Sequence, residues 1–248
     1  MGFEHTSILS SRLPSRRTIE QYIRIELESG VMTAVVQVQA RLGSSRLPGK
    51  VLYTLGSRRV LGWVIERAQR IEQPAEVVLT VGDRPENDAI REWCDRHEIP
   101  YSSGPEDDLL ERHSLAAAMM DSDPVVRVTG DCPFVPPSEI DRLVREHEQN
   151  DARYTTNLAD DMPIGTAVDV IDRKVLEELR ELGDTHPVRR LRNNPEEWDV
   201  VVSPNEQWMS FNDAHIAVDT PEDYWLLSDA IKAVGSRPRA VAEWIAER

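Results

Sequence analysis

The chain has 248 residues, which suits one large domain, since single hydrophobic cores stop growing at roughly 250–300 residues. Its 44 acidic residues against 29 basic ones give a formal net charge of −15, which argues against general binding to nucleic acid or an anionic membrane. An anionic ligand would therefore need a local basic site, and the isolated Cys94 and Cys132 offer neither a disulfide framework nor a zinc site.

Residues 1–31 carry Arg12, Arg16, Arg17 and Arg24 against Glu4, Glu20, Glu26 and Glu28, so all of the −15 lies after Val31. Met32 is followed at once by the first predicted strand and is expected to be the natural start, with 1–31 a non-native or disordered extension. Residues 32–248 then read as a single domain. Strands are predicted at 33–39, 76–81, 124–129, 152–156, 167–171, 199–203 and 215–218, where short apolar, β-branched runs end in turn residues. Between the early ones lies an apolar stripe, Leu61, Val64, Ile65, Ala68 and Ile71, at helical spacing. Further helices fit 86–97, 107–120, 137–149, 173–182, 221–234 and 237–247.

This alternation predicts an α/β fold: a mostly parallel, Rossmann-like sheet built of right-handed βαβ units, with helices on both faces. Ligands of such sheets bind beyond the carboxyl ends of the strands. Residues 157–213 lose the regular rhythm and are expected to form a lid over the site or an arm for a partner subunit. No apolar stretch approaches the ~18 residues of a membrane span. With no apolar signal-peptide core at the N-terminus, a reducing cytoplasm is the expected setting. Of the 29 basic residues only Lys50, Lys174 and Lys232 are lysines, and this acidic, arginine-biased composition fits either high-salt adaptation or a GC-rich genome.

The first predicted strand runs into "QARLGSSRLPGKVL", residues 39–52, and from Thr33 to Ile65 there is not one Asp or Glu. The same interval holds Arg41, Arg46, Lys50, Arg58 and Arg59. A basic island in an acidic chain calls for an anion. Gly43 and Gly49 allow close backbone approach, Ser44 and Ser45 add hydroxyls, guanidinium forks suit phosphate oxygens, and Lys50 supplies a point charge. Neither G-x-x-x-x-G-K-[ST] nor G-x-G-x-x-G is present, which disfavours a P-loop ATPase or an ordinary dinucleotide enzyme.

Two acidic motifs follow. "VVRVTGDCPF" ends a predicted strand at Gly130 and Asp131, and "HIAVDTPEDY" places Asp219 just before a helix with Thr220 as N-cap, Pro221 at its first position and Asp223 at its third. Taken alone, each aspartate reads equally as a turn former or cap. Beside a triphosphate loop the pair could share Mg²⁺, a hard ion that takes oxygen ligands and keeps several waters. Cys132 reads as a packing residue.

The loop, together with "GPEDDLLERHSLAA" at 104–117, "VRVTGDCPFVPPSEID" at 126–141, "RNNPEEW" at 192–198 and "VDTPEDYWLL" at 218–227, resembles the cytidylyltransferases that activate sugar acids. The resemblance covers about Thr33 to Leu227 and implies the nucleotidyltransferase fold, Mg²⁺ as cofactor, a homodimer, and CTP with a sugar acid as substrates. It implies Asp131 and Asp219 as metal ligands, and Arg41, Arg46 and Lys50 on the triphosphate with help from Ser44 or Ser45. Ala40, Gly43, Gly104, Asp108, Arg112 and Thr129 complete the implied nucleotide set. Asp169, His186, Arg189 and Arg192 are the implied acceptor contacts, although "GTAVDVID" and "THPVRR" depart from the family pattern there. The implied reaction is in-line attack of an anomeric hydroxyl on the α-phosphorus, releasing pyrophosphate. The rivals are a glycosyltransferase using a nucleotide sugar, a nucleotidyltransferase using a sugar phosphate, and a non-catalytic nucleotide-binding subunit.

Overall fold

The computed structural model describes residues 34–72 and 75–248, so the expectations for 1–31 and for Met32 lie outside the described residues. Its centre is a seven-stranded sheet. Strand β1 (Ala34–Ala40) lies between β4 (Ala75–Gly82) and β6 (Val125–Thr129), parallel to both, with β5 (Tyr101–Gly104) outside β4. Beyond β6 come β8 (Asp169–Ile171), antiparallel, then β7 (Tyr154–Thr156) and finally β9 (Val200–Val202). The sheet is thus mostly parallel, as the alternation predicts.

β1 reads as a nearly continuous apolar run because both of its faces are covered. Val36 and Val38 pack with Val64 and Ile65 of α1 (Val60–Ala68), Ile90 and Trp93 of α2 (Asp88–His97), and Ile140 and Val144 of α4 (Pro137–Gln149). Val35 points the other way and meets Val78 and Ala116, the latter from α3 (Leu109–Met120). A second cluster on α3 joins Leu110 and Ala117 to Val175 and Leu179 of α5 (Arg173–Glu181). Each such fully buried aliphatic side chain contributes roughly 1.5–3 kcal/mol of transfer free energy. The chain closes with short helices α6 (Arg189–Asn193) and α7 (Glu206–Met209), then α8 (Pro221–Val234) and α9 (Pro238–Ala246).

The structure departs from the predicted elements in two ways. Residues 215–218 do not form a strand. Only His215 bridges, to Ile164, because the Ile216 and Val218 amides donate to the Ile164 and Asp131 carbonyls across the tips of the sheet. Residues 157–213, expected as a lid or a partner arm, contribute the predicted strands β8 and β9 to the sheet. Two elements escaped the sequence pattern: the polar edge strand β5, "YSSG", and a ribbon of β2 (Thr54–Leu55) and β3 (Arg58–Arg59) turning at Gly56. Gly56 has φ 64, the left-handed region that glycine enters at no steric cost.

Candidate active site

At the carboxyl ends of β1 and β6 a cleft of about 520 Å³ opens, lined on one side by Arg41, Ser44, Ser45, Arg46, Lys50 and Asp219. Its opposite wall holds Glu106, Arg112, Thr185, His186 and Arg189, and Ala40 and Asp131 also line it.

The loop after β1 is shaped by its own backbone. Ser44 and Gly49 amides both donate to the Leu42 carbonyl, at 2.8 and 3.0 Å, and Gly49 turns at φ 75 before the 3-10 turn Lys50–Leu52. Gly49 thus serves the turn, its amide already engaged inside the loop. The Leu42 amide donates to Asn87 Oδ1 at 2.8 Å, and Asn87 Nδ2 donates to Glu106 Oε2 at 2.7 Å. A fully buried asparagine therefore ties the basic loop to the segment after β5. Gly82 makes room for this tie, because a Cβ there would lie 1.7 Å from Glu106 Oε2.

Asp131 and Asp219 are brought together. Gly130 packs so closely on β1 that a Cβ would lie 2.8 Å from the Gln39 carbonyl, and the Val218 amide donates to the Asp131 carbonyl at 2.8 Å. Thr220 and Asp223 form the expected capping box at the start of α8, and Asp223 Oδ2 also accepts from the Asp219 amide at 3.1 Å. Between the two carboxylates sits the Lys50 ammonium, 2.6 Å from Asp131 Oδ2 and 2.8 Å from Asp219 Oδ1. Arg46 Nη2 lies 2.9 Å from that same Asp219 oxygen, and His215 Nε2 lies 3.3 Å from the other. Burial pulls the Lys50 pKa down, but the two carboxylates outweigh it and raise it. Burial likewise acts to raise Asp219, while Lys50, Arg46 and His215 hold it below the ordinary carboxylate range.

This arrangement bears on the metal that the resemblance implies. The two carboxylates converge on one cation-sized position now filled by an ammonium, so the donor set suits a hard divalent ion. Among the described residues no group of three or more His, Cys, Asp or Glu side chains forms a cage. An ion held by two protein carboxylates leaves positions for water and phosphate, the usual manner of Mg²⁺.

At the opposite wall Arg112 is only 4% exposed, and its Nε and Nη1 have no hydrogen-bond partner in the protein. Burial lowers its pKa, with Glu106 the leading opposing charge. Buried polar groups are usually satisfied, and these two guanidinium donors stand without a protein acceptor on a residue that lines the cleft. His186 is pushed down to about 4, first by burial and then by Arg127, Arg189 and Arg192. Around this imidazole the arginines outweigh Asp169, although Glu106 and Asp107 also line the cleft.

Other sequence candidates lie elsewhere. Asp169 does not line the cleft. It is fully buried, accepts from Tyr154 Oη and Arg192 Nη2 at 2.6 Å each and from Thr156 Oγ1 at 3.0 Å, and pairs with Arg127. Burial opposes its charge, yet the two guanidiniums hold its pKa at about 2. Arg192 belongs to that pair too. Asp108 caps α3, accepting from the Glu111 amide at 2.8 Å. Gly104 gives space to α3, since a Cβ would meet Leu115 at 2.8 Å and Arg112 at 3.1 Å. Thr129 Oγ1 contacts Cys132 Sγ at 2.8 Å, and burial raises that thiol, which suits packing. Gly43, Gly104, Asp108, Thr129, Asp169 and Arg192 thus stand behind or beside the cleft lining. Sequence reasoning missed Gln39, Glu106 and Thr185. The one signal for Glu106 was its position two residues after Gly104.

Comparison with known proteins agrees with this geometry: a cytidylyltransferase family model matches residues 35–223. The chain belongs to the cytidylyltransferase family. It is 27% identical over 211 residues to the spore coat polysaccharide biosynthesis protein SpsF of Bacillus subtilis, covering 81% of this chain and 87% of that one. It is 34% identical over 119 residues to the 3-deoxy-manno-octulosonate cytidylyltransferase of Colwellia psychrerythraea, covering 45% of this chain and 40% of that one. A solved cytidylyltransferase from Leptospira borgpetersenii superposes with a TM-score of 0.79 at 26% identity, covering 88% of this chain and 95% of that one. As a cytidylyltransferase, the chain is a nucleotidyltransferase enzyme that acts on CTP.

Proposed function

We propose that this cytidylyltransferase transfers CMP from CTP to a sugar acid with Mg²⁺, giving a CMP-sugar and pyrophosphate for surface glycan synthesis. The observation that carries the reading is the cleft's polarity. One end presents two carboxylates converging on Lys50, and the other presents Arg112, His186 and Arg189. Asp131 and Asp219 would hold the metal, which when bound neutralises charge on the α-phosphate and the departing pyrophosphate. Lys50, Arg46 and Arg41 stabilise that leaving group, Lys50 by exchanging its carboxylate partners for phosphate oxygens. The orphan donors of Arg112 fit the carbonyl and ring-nitrogen acceptors of cytosine. Arg189 offers a guanidinium fork to the acceptor's carboxylate, and His186, neutral at pH 7, accepts or donates one hydrogen bond without adding charge. Positioning and electrostatics supply most of the rate, and no covalent enzyme intermediate is required.

In the same reading the chain is a cytoplasmic homodimer working at high salt. Support for the dimer comes from edge strand β9, with the exposed Val202 on it, and from the exposed Leu158 and Ile164. Among the described residues no helix is long and apolar enough to cross a membrane.

The test is thermal unfolding in molar KCl with Mg²⁺, adding CTP, ATP, GTP, UTP and a UDP-sugar in turn, followed by pyrophosphate release across a panel of sugar acids. Filling the site at ~100 times its dissociation constant stabilises by roughly 2.7 kcal/mol. Selective stabilisation by CTP with release driven by a sugar acid is the expected result. Release driven instead by sugar phosphates, or stabilisation by the UDP-sugar alone, overturns it.

A further inference from the structure

The acid-free interval from Thr33 to Ile65 carries five basic residues, and the fold sends them to two different places. Arg41, Arg46 and Lys50 line the active-site cleft, whereas Arg58 and Arg59 line a separate groove of about 460 Å³. The nucleotide reading therefore leaves two of the five basic residues unexplained.

This groove lies between the β2–β3 ribbon, Gly62 of α1 and the last two turns of α2. Its lining holds the guanidiniums of Arg58, Arg59 and Arg96 and the His97 imidazole, and no carboxylate lines it. In a chain with net charge −15 that combination is unusual. The walls are pre-formed. Leu55 is fully buried, Trp63 Nε1 donates to its carbonyl at 2.8 Å, and Tyr224 Oη donates to the Thr54 carbonyl at 2.8 Å. Gly56 packs against Ile231 of α8, with 3.0 Å left to where a Cβ would stand. Arg58 is half-exposed, balanced between the Trp63 face at 5.5 Å and Glu66 at 3.4 Å. On the opposite wall the His97 ring is stacked on Trp93, with centroids 4.3 Å apart, giving a fixed flat surface beside the arginines.

We propose that this groove is a second ligand site, which binds a small organic phosphate through Arg58, Arg59 and Arg96 with its organic body resting on the His97–Trp93 stack. Several guanidinium groups in a lining without a carboxylate suit a doubly charged tetrahedral oxyanion, which accepts from more than one fork and competes with Glu66 only at Arg58. The groove, of about 460 Å³, has room for an organic body beside the phosphate. Location gives the site a consequence. Arg59 Nη1 donates to the carbonyl of Leu52, the last residue of the turn that begins at Lys50. An occupant that recruits Arg59 withdraws it from Leu52 and shifts the Lys50 turn, so groove occupancy and nucleotide affinity are coupled in both directions.

The experiment titrates the full chain at 0.15 M KCl with glucose 6-phosphate, gluconate and glucose as probes. It follows the Trp93 indole N–H resonance, assigned through Trp93→Phe, and calorimetric stoichiometry. Saturable binding of glucose 6-phosphate is expected, weakened at least tenfold in the double variant Arg58→Ala, Arg96→Ala and kept within about threefold in Lys50→Ala. The half-saturating CTP concentration is expected to change about fivefold or more with the probe present, and to be insensitive to it in the double variant. Binding lost in Lys50→Ala but kept in the double variant would place the probe in the cleft and overturn the site. Absence of saturable binding does the same, and gluconate binding as well as glucose 6-phosphate overturns the phosphate assignment. CTP affinity indifferent to a bound probe removes the coupling. Failure of CTP to bind at all counts against the nucleotide reading and leaves the groove titration unaffected.

Discussion

Two ion-pair centres lie close together in this molecule and use the same chemistry to different ends. In the cleft, Lys50 bridges Asp131 and Asp219, and both carboxylates remain partly open to solvent. Behind the cleft lining, Asp169 is fully buried between Arg127 and Arg192, with Tyr154 and Thr156 taking up its remaining lone pairs. Distances of 2.6 Å occur in both, so separation does not distinguish them. Exposure and the nature of the cation do. A lysine on a flexible stem can leave its partners for a phosphate, and the carboxylates it vacates then face a wet cleft. Two arginines held in planar, multiply bonded geometry cannot leave without stranding a buried charge. The second centre is built to keep its partners, whereas the proposed function requires the first to exchange them.

Neutralising one carboxylate in each centre separates the two roles. Asp131→Asn removes charge at nearly constant volume, and kcat is expected to fall by about 10²–10³-fold or more, with the unfolding midpoint nearly unchanged. Turnover within a few-fold of the parent would remove Asp131 from the metal set. Asp169→Asn should show the opposite pattern, a loss of about 3–5 kcal/mol of stability because two guanidiniums lose their counter-charge. For a chain of this size that is a fall of about 10 °C in Tm. A stable Asp169→Asn protein with normal Tm would show the centre to be dispensable. Next in size is Lys50→Ala, expected to raise the half-saturating CTP concentration by roughly 10–100-fold, the worth of a charge-assisted hydrogen bond. Unchanged CTP dependence would leave Lys50 as a spacer between aspartates.

The same contrast explains how much the sequence disclosed. The exchangeable centre was legible because each part stands at a strand tip beside a turn signal: Gly49 before Lys50, Gly130 before Asp131, Thr220 and Pro221 after Asp219. The parallel half of the sheet was legible too, through runs such as "AVVQVQ" and "EVVLT". The buried centre was not. Asp169 lies in a three-residue strand whose pattern marks it only as polar, and nothing local announces that Arg127, on the neighbouring strand, points at it. β5 was missed because an edge strand of four residues needs little apolar content. The orphan donors of Arg112 are a property of its surroundings, invisible until α3 is laid over β5.

The smallest expected effect probes the electrostatic field between the two centres. His186 takes its depressed pKa from burial and from three arginines, of which Arg127 and Arg192 also hold Asp169. With a folded value of about 4 against an ordinary 6.5, the unfolded chain carries a proton between those pH values that the folded chain lacks. His186 therefore costs no stability above about pH 6.5, and stability falls as the pH drops from there toward 4. Asp169 acts in the same direction only lower, between its ordinary 3.8 and about 2, so the two contributions separate on the pH axis. His186→Gln should flatten the decline of Tm between pH 6.5 and 4.5 and leave Tm at pH 8 nearly unchanged. The fully buried His113, also depressed well below 6.5, retains its own share of the slope, so the difference between the two curves isolates His186. Superimposable curves would mean that His186 is not held below its ordinary range, and the arginine-dominated field around it would lose its basis.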